Sequence, residues 1–318
     1  MYCGRISLDL ECLSLGDWVL KLYLCSPRGF CAGVVRAIDV VMLCLERFGS
    51  PIYLKHEIVH NPYVVKSLEA KGAITVGEVA DIPRGSTVIF SAHGSPPEDF
   101  RTAAERDLQV IDATCPLVTK VHHEAHKFAR DGRRLVLVGH HGHQEVVGTM
   151  GQESMHLIDD RGNEVLPDWE PDTPVTVLTQ TTLSVRDTER STEIVKARFK
   201  DVIVRNDICY ATTNRQDAVE KLCRLVDLVL VIGASNSSNC NRLRELAEAN
   251  GVESRLINGP KNLNTKWLDQ VDNVGITSGA STPEELVNSV IKAIKPDEIE
   301  VVRGASEDIT FVLPKELR

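Results

Sequence analysis

The stretch LVLVIGASNSSNCNRLRELAEA, residues 228–249, contains one complete structural unit and decides how the rest of the chain is read. Residues 228–232 form an unbroken apolar run, short enough to be a buried strand. Residues 233–239 are small and polar, the composition of a turn. From 241 to 249 the apolar positions Leu243, Leu246 and Ala247 recur at three- to four-residue intervals, the period of a helix. Strand, polar turn and helix in that order are the signature of a parallel βα unit. Equivalent apolar runs occupy 20–24, 87–90, 135–138, 175–178 and 274–277, and helical stripes fill 33–48, 62–71, 116–130, 188–199, 214–226 and 283–294. Thr282, Pro283 and Glu285 read as a capping box with proline in the first turn of the last helix. The expected fold is α/β: an N-terminal extension over 1–20, three similar small modules with parallel sheets over 21–115, 116–208 and 209–295, and a tail over 296–318.

Composition sets the outer limits. A chain of 318 residues at about 150 per domain holds two domains or three small ones, and 42% hydrophobic residues suffice for a buried core. The formal net charge of -9 argues against nucleic acid as a partner, since nucleic acids recruit basic surfaces. No apolar run reaches the roughly 18 residues of a membrane span. Asp9, Glu11 and Asp17 interrupt the first residues, unlike a secretory signal, so a cytoplasmic location is expected. Nine cysteines are too few and too scattered for a disulfide scaffold.

In parallel sheets, ligands bind beyond the carboxyl ends of the strands, so the turns are where chemistry belongs. They read Ser91-Ala92-His93-Gly94, Gly139-His140-His141-Gly142-His143-Gln144-Glu145, Thr179-Gln180-Thr181-Thr182, Gly233 through Asn239, and Ser278-Gly279-Ala280-Ser281. Hydroxyls, amides, imidazoles and backbone N–H groups of this kind can cradle an anion. Neither the Walker pattern nor G-x-G-x-x-G occurs, which weakens nucleotide readings. The run Asn236-Ser237-Ser238-Asn239 serves equally well as an anion clamp or as a helix cap.

Cys25, Cys44 and Cys223 lie in apolar patterns, and Cys3 and Cys12 in the extension. Cys31, Cys115 and Cys209 differ: each sits in a polar or glycine-bearing turn just before a helix, at near-equal intervals along the chain. Taken singly, each also reads as a small buried residue. A helix start stabilises thiolates and a negatively charged iron–sulfur cluster, and three such placements suggest one cluster at the module junction. Three protein thiolates leave one iron open, which suits activating a substrate rather than only carrying electrons. Among the histidines, His122, His123 and His126 are expected on the solvated face of their helix. His60, His93 and His143 flank strand ends and helix starts and look functional as a set. Glu145 is a candidate proton donor, or an ordinary solvent-facing glutamate.

These residues resemble 4-hydroxy-3-methylbut-2-enyl diphosphate reductase, the last enzyme of the non-mevalonate isoprenoid pathway. The matching strings are PRGFCAG from Pro27, HNPYVV from His60, SAHG from Ser91, DATCPLVTKVH from Asp112 and GHQEVVGTMGQ from Gly142. TQTTLS from Thr179, DICYATTNRQ from Asp207, NSSN from Asn236, SGAST from Ser278 and the terminal VLPKELR complete the likeness, which covers roughly 21–318. The resemblance implies one [4Fe–4S] cluster per chain, held by Cys31, Cys115 and Cys209 between three modules in pseudo-threefold arrangement. It implies a substrate diphosphate contacting His60, His93, His143, Ser237, Ser238, Asn239 and Ser281, with Thr181 and Glu145 beside the hydroxymethyl end. Glu145, Thr181 and His143 are then the catalytic candidates. The reaction implied is reductive dehydroxylation of (E)-4-hydroxy-3-methylbut-2-enyl diphosphate to isopentenyl and dimethylallyl diphosphates, with electrons from reduced ferredoxin or flavodoxin. Val35 stands where the family often has an acidic residue and Gln144 where proline is common; residues 1–20 extend beyond the family's usual start. Two rivals remain on the residues alone: a zinc hydrolase using His140, His141 and His143 with Glu145 as base, and an iron–sulfur sensor or electron carrier.

Overall fold

The computed structural model describes residues 19–318 apart from residue 160, residues 162–164 and residue 270. The expected extension, with Cys3 and Cys12, therefore lies almost wholly outside the described residues. The chain opens with β1 (Lys21–Ser26) and α1 (Ala32–Phe48), then β2 (Ile52–Lys55), α2 (Pro62–Glu69), β3 (Ala73–Val76), β4 (Thr87–Phe90), α3 (Pro97–Glu105) and β5 (Gln109–Asp112). It continues through α4 (Pro116–Arg130), β6 (Arg134–Val138), α5 (Gln144–Met150), β7 (Met155–Ile158), β8 (Val175–Thr179), α6 (Val185–Arg198) and β9 (Val202–Val204). The last third holds α7 (Tyr210–Leu222), β10 (Leu228–Ile232), α8 (Ser238–Ala249), β11 (Glu253–Ile257), β12 (Asn273–Ser278), α9 (Glu284–Ile294) and β13 (Glu298–Arg303).

These strands form three sheets, ordered β3-β2-β4-β5, β7-β6-β8-β9 and β11-β10-β12-β1-β13. Each strand pairing is parallel, from Ile52 against Ala73 in the first sheet to Lys21 against Glu298 in the third. The fold is thus the expected α/β architecture of three parallel-sheet modules. Central strand β10 is buried at every residue, which is why its sequence is a continuous apolar run rather than an alternation. No helix among the described residues is long and apolar enough to cross a membrane.

Sheet membership differs from the segmentation expected at 21–115 and 296–318. β1 pairs with β12 and β13, so the opening strand joins the third sheet, and β13 brings part of the expected tail into it. The reason is packing: Leu22 and Leu24 of β1 are buried in one cluster with Leu228, Leu230, Val274 and Ile276. With β1 in place, all three sheets share one order, in which β1 occupies the position that β5 and β9 hold in theirs. The capping box also fails to form. The Thr282 hydroxyl donates instead to the Ile232 carbonyl at 2.9 Å, tying the end of β10 to the turn after β12, and Pro283 is the N-cap of α9 with no side-chain cap bond.

The first and second modules meet through glycine. A Cβ at Gly148 of α5 would stand 2.8 Å from the carbonyl oxygen of Gly94 and 3.3 Å from the nitrogen of Ser95; one at Gly151 would stand 2.4 Å from Cβ of Pro96. Gln152 Nε2 donates to the Ser95 carbonyl at 3.1 Å beside them. The GTMGQ string is therefore a seat for the turn that carries His93. Because backbone cannot yield as a flexible side chain would, Gly148→Ala should destabilise the chain by about 1–3 kcal/mol. Gly77→Ala, where a Cβ meets nothing within 4 Å, should stay within about 0.5 kcal/mol of the parent. Urea midpoints of the two variants check this, and equal midpoints would dispose of the glycine seat.

Candidate active site

The carboxyl ends of the three sheets face a common cavity. Every residue singled out as a candidate lines it: Cys31, Cys115 and Cys209; His60, His93 and His143; Glu145 and Thr181; Ser237, Ser238, Asn239 and Ser281. Residues so distant in sequence converge because each follows a strand whose end points inward.

The cysteines are placed by one device used three times. Each is the N-cap residue of a helix, Cys31 of α1, Cys115 of α4 and Cys209 of α7, and none of the three sulfurs caps that helix. Each backbone N–H is bound to the carbonyl of the turn after the neighbouring strand: Cys31 to Ala280 at 3.1 Å, Cys115 to Ala92 at 3.0 Å and Cys209 to Thr181 at 3.0 Å. Gly33 leaves room at the centre, since a Cβ there would lie 2.8 Å from the Cys115 sulfur and 3.8 Å from that of Cys31. Burial, reinforced by the neighbouring thiols, pushes Cys115 up to about 12 and Cys209 up to about 11. A metal centre binding these sulfurs must therefore displace protons. Arg215 of α7 is fully buried and braces two of the three segments, donating to Gly29 O at 2.7 Å and Ala211 O at 2.8 Å while pairing with Glu307 at 2.9 Å.

Opposite the sulfurs, the rings of His60 and His93 stack with centroids 4.0 Å apart, and His143 stands edge-on to His60 at 5.1 Å. Burial holds His93 well below the usual imidazole range and His143 at about 3, each ring also opposing charge on its neighbours. Both are neutral at pH 7 until an anion joins them. The Glu145 N–H donates to His143 Nδ1 at 3.2 Å, so the neutral ring carries its proton on Nε2. His60 Nε2 and Asn239 Nδ2 are buried with no hydrogen-bond partner among the described residues. Asn239 Oδ1 is already bound by the Ala280 N–H at 3.0 Å, and the Ser237 hydroxyl accepts from Cys240 N at 3.4 Å, capping α8. The NSSN run is thus cap and cavity wall at once. Ser281 donates its hydroxyl proton to His60 O at 3.0 Å and must rotate to reach a ligand.

Glu145 does not face solvent. Its carboxylate is buried, accepting from the Thr181 N–H at 2.6 Å and the Thr181 hydroxyl at 2.9 Å. Burial outweighs those bonds, and with nearby Asp207 it lifts the carboxyl to about 7. The histidine string at 140–143 diverges, as His140 Nε2 lies 2.8 Å from Arg242 and His141 is exposed. With His140 turned to Arg242, His141 exposed and His143 in the cavity, that string does not gather the zinc site of the first rival.

His122 departs from the solvated face expected for it. It is tucked beneath the Gly94 turn, with Cε1 2.8 Å from where a Gly94 Cβ would be, and burial lowers it to about 4. That side of α4 is covered by the first module, which a helical wheel cannot show. His123 is exposed and His126 pairs with Glu153 at 2.7 Å. Four residues went unnoticed in the sequence. Phe311 and Tyr210 line the cavity. Glu57 stands 3.5 Å from His60 Nδ1, and Asn61 joins two modules by donating to Ser281 O at 2.7 Å. Asn61 and Tyr210 lie inside matched strings, and Glu57 and Phe311 only near them.

The family model described as LytB protein matches residues 22–295. The chain is 50% identical over 308 residues to 4-hydroxy-3-methylbut-2-enyl diphosphate reductase 2 of Bradyrhizobium diazoefficiens, covering 94% of this chain and 99% of that one. It is 50% identical over 306 residues to reductase 1 of the same description from Rhodopseudomonas palustris, covering 93% and 99%. The solved structure of the E-1-hydroxy-2-methyl-but-2-enyl-4-diphosphate reductase from Plasmodium falciparum superposes with a TM-score of 0.90 at 36% identity, covering 95% of this chain and 97% of that one.

Replacing buried Arg215 with methionine removes the cation from the Glu307 carboxylate, which keeps only Asn214 Nδ2 at 3.2 Å, and takes a donor from two carbonyls. Arg215→Met should therefore lower unfolding free energy by about 3–5 kcal/mol in urea titrations; a loss below about 1 kcal/mol would show that the brace is dispensable.

Proposed function

The chain belongs to the LytB protein family, and from that premise we propose that its cavity carries out the family's reduction of (E)-4-hydroxy-3-methylbut-2-enyl diphosphate to isopentenyl and dimethylallyl diphosphates. The observation that carries the reading is one cavity holding three thiols at helix starts, three packed imidazoles and a buried carboxyl. Cys31, Cys115 and Cys209 fit a [4Fe–4S] cluster by their chemistry: three soft ligands at helix N-termini, with Gly33 leaving the space beside the Cys115 sulfur clear. Bound there, the cluster supplies an iron with a free coordination position and the electrons for the reduction. A reduced ferredoxin or flavodoxin as donor and a cytoplasmic location belong to the same reading and rest on the resemblance.

The polypeptide's own part divides between the two ends of the substrate. His60 Nε2, the Nε2–H of His143, Asn239 Nδ2 and the hydroxyls of Ser237 and Ser238 are donors for the diphosphate, at the N-terminus of α8 where the helix dipole favours negative charge. His93 stacks on His60 and completes the clamp. No lysine or arginine lines the cavity among the described residues, so the anion itself must draw protons onto the imidazoles. At the other end Thr181 holds Glu145, and the carboxyl near 7 keeps a proton available for the departing hydroxyl, which leaves as water.

Anaerobic reconstitution with iron and sulfide should load the parent chain and Cys223→Ser with a full cluster and substrate-reducing activity. Cys31→Ser, Cys115→Ser and Cys209→Ser should each lose iron and turnover. A colourless, iron-free chain with full activity would overturn the proposal. Glu145→Gln should retain its iron and lose about 10²-fold or more in turnover. Because the carboxyl lies near 7, the donating form is depleted as pH rises through about 7. Parent turnover should fall over that interval, whereas the residual activity of Glu145→Gln should not.

A further inference from the structure

We propose that Glu57 is the positioning residue that makes His60, of the three imidazoles in the clamp, the one that carries positive charge to the diphosphate; the inference rests on the function proposed above and identifies the cation that the cavity lining lacks. A diphosphate is strongly anionic, yet no lysine or arginine among the described residues lines the cavity. The charge must come from an imidazole, and the three rings differ in what stands behind them. His143 Nδ1 accepts the Glu145 N–H at 3.2 Å, so a second proton on that ring would break the bond. His93 Nδ1 lies 3.2 Å from the Ser91 hydroxyl, a neutral group that balances no charge. His60 Nδ1 faces a carboxylate, with Glu57 Oε2 at 3.5 Å.

The pair is fixed by the backbone on both sides. The turn after β2 is entered through His56 at φ 63°, a left-handed conformation that a side-chain-bearing residue keeps only where its surroundings hold it. At the far end of the turn the Ser281 hydroxyl donates to His60 O at 3.0 Å and the Asn61 amide donates to Ser281 O at 2.7 Å, pinning this backbone to the third module. The stack on His93 sets the plane of the ring. Nδ1 is thus turned to Glu57, and Nε2, buried without a hydrogen-bond partner among the described residues, is left for the ligand. Glu57 Oε2 also accepts from Asn236 Nδ2 at 3.0 Å, so one carboxylate oxygen ties the His60 turn to the segment that carries Ser237 and Ser238. The His60 ring, and then the Asn236 amide, hold the Glu57 carboxyl below the usual carboxylate range despite its partial burial, and it is ionised at pH 7. A carboxylate on one side and a phosphate on the other leave the ring between them most stable as an imidazolium that donates from both nitrogens. The other titratable groups facing His60 are imidazoles: His56 from its own turn, His93 from the turn after β4 and His143 at the start of α5. The third module brings neutral groups, Asn236 to Glu57 and Ser281 to the His60 backbone. Glu57 is the counter-charge that decides which ring is charged.

A proton held on a ring is lost as pH rises, so the pH at which anion binding weakens reports the charged imidazole. The test uses cluster-loaded protein, with inorganic pyrophosphate as the probe in calorimetry, and Glu57→Gln, which keeps the shape and removes the charge. Parent affinity should decline with rising pH; in Glu57→Gln the decline should begin about one pH unit lower, leaving the variant about tenfold weaker at about pH 7.5. For the substrate, KM should rise about tenfold while kcat, driven by reduced methyl viologen, falls by less than about threefold. His60→Asn should lose this step in the affinity profile, and adding Glu57→Gln to it should cost less than about twofold more, since Glu57 acts through the ring. A Glu57→Gln profile equal to the parent's, or one lowered by the same factor at every pH as a merely structural contact would give, overturns the assignment. Should Glu57→Gln fold poorly, the parent and His60→Asn decide, and identical profiles for those two overturn it. Failure of the loaded parent to reduce the diphosphate substrate with viologen would instead refute the function itself, leaving the pyrophosphate profiles to judge Glu57.

Discussion

One hydrogen bond, made three times, underlies this molecule: a cysteine N–H held by the carbonyl of the turn after the neighbouring parallel strand. It fixes the point at which strand ends and helix begins, and so aims each sulfur toward the junction of the sheets. Parallel sheets make this possible because all their strands finish at the same edge, leaving unpaired backbone groups and helix starts there together. Three modules with one strand order bring three such edges face to face. Glycine supplies the close approach, at Gly148 between modules and at Gly33 between sulfurs.

The electrostatics of the cavity follow from the same enclosure. Burial keeps His93 and His143 neutral, raises Cys115 and Cys209 and lifts Glu145 toward 7. Among the described residues no lysine or arginine lines the cavity; Arg215 stands elsewhere as a brace beneath two cysteine segments and Arg36 in the outer wall. The interior can thus receive an anion and a metal centre without a permanent positive charge competing for either.

Much of this was legible in the chain as text. Local hydrophobic period located the six apolar runs now seen as strands and placed α4 on its observed span, because those signals depend only on which face of an element is buried. Clusters of polar residues after strands marked the turns, the resemblance selected twelve candidates from these and neighbouring turns, and all twelve line one cavity. What failed depended on neighbours far away in sequence. The period of α4 cannot reveal that a glycine turn of another module covers His122. A threonine before a proline reads as a cap until a distant carbonyl, Ile232 O, is brought within reach.

The sequence by itself determined the α/β class, the repeat of the unit and the identity of the chemical groups, since strand and helix signals and reactive side chains are local properties. Only the tertiary structure decided which sheet β1 completes, that Glu145 is buried against Thr181 rather than solvated, and that Phe311 from the end of the chain walls the cavity. Those outcomes turn on long-range burial and pairing, whose partners are chosen by the packing of the whole molecule.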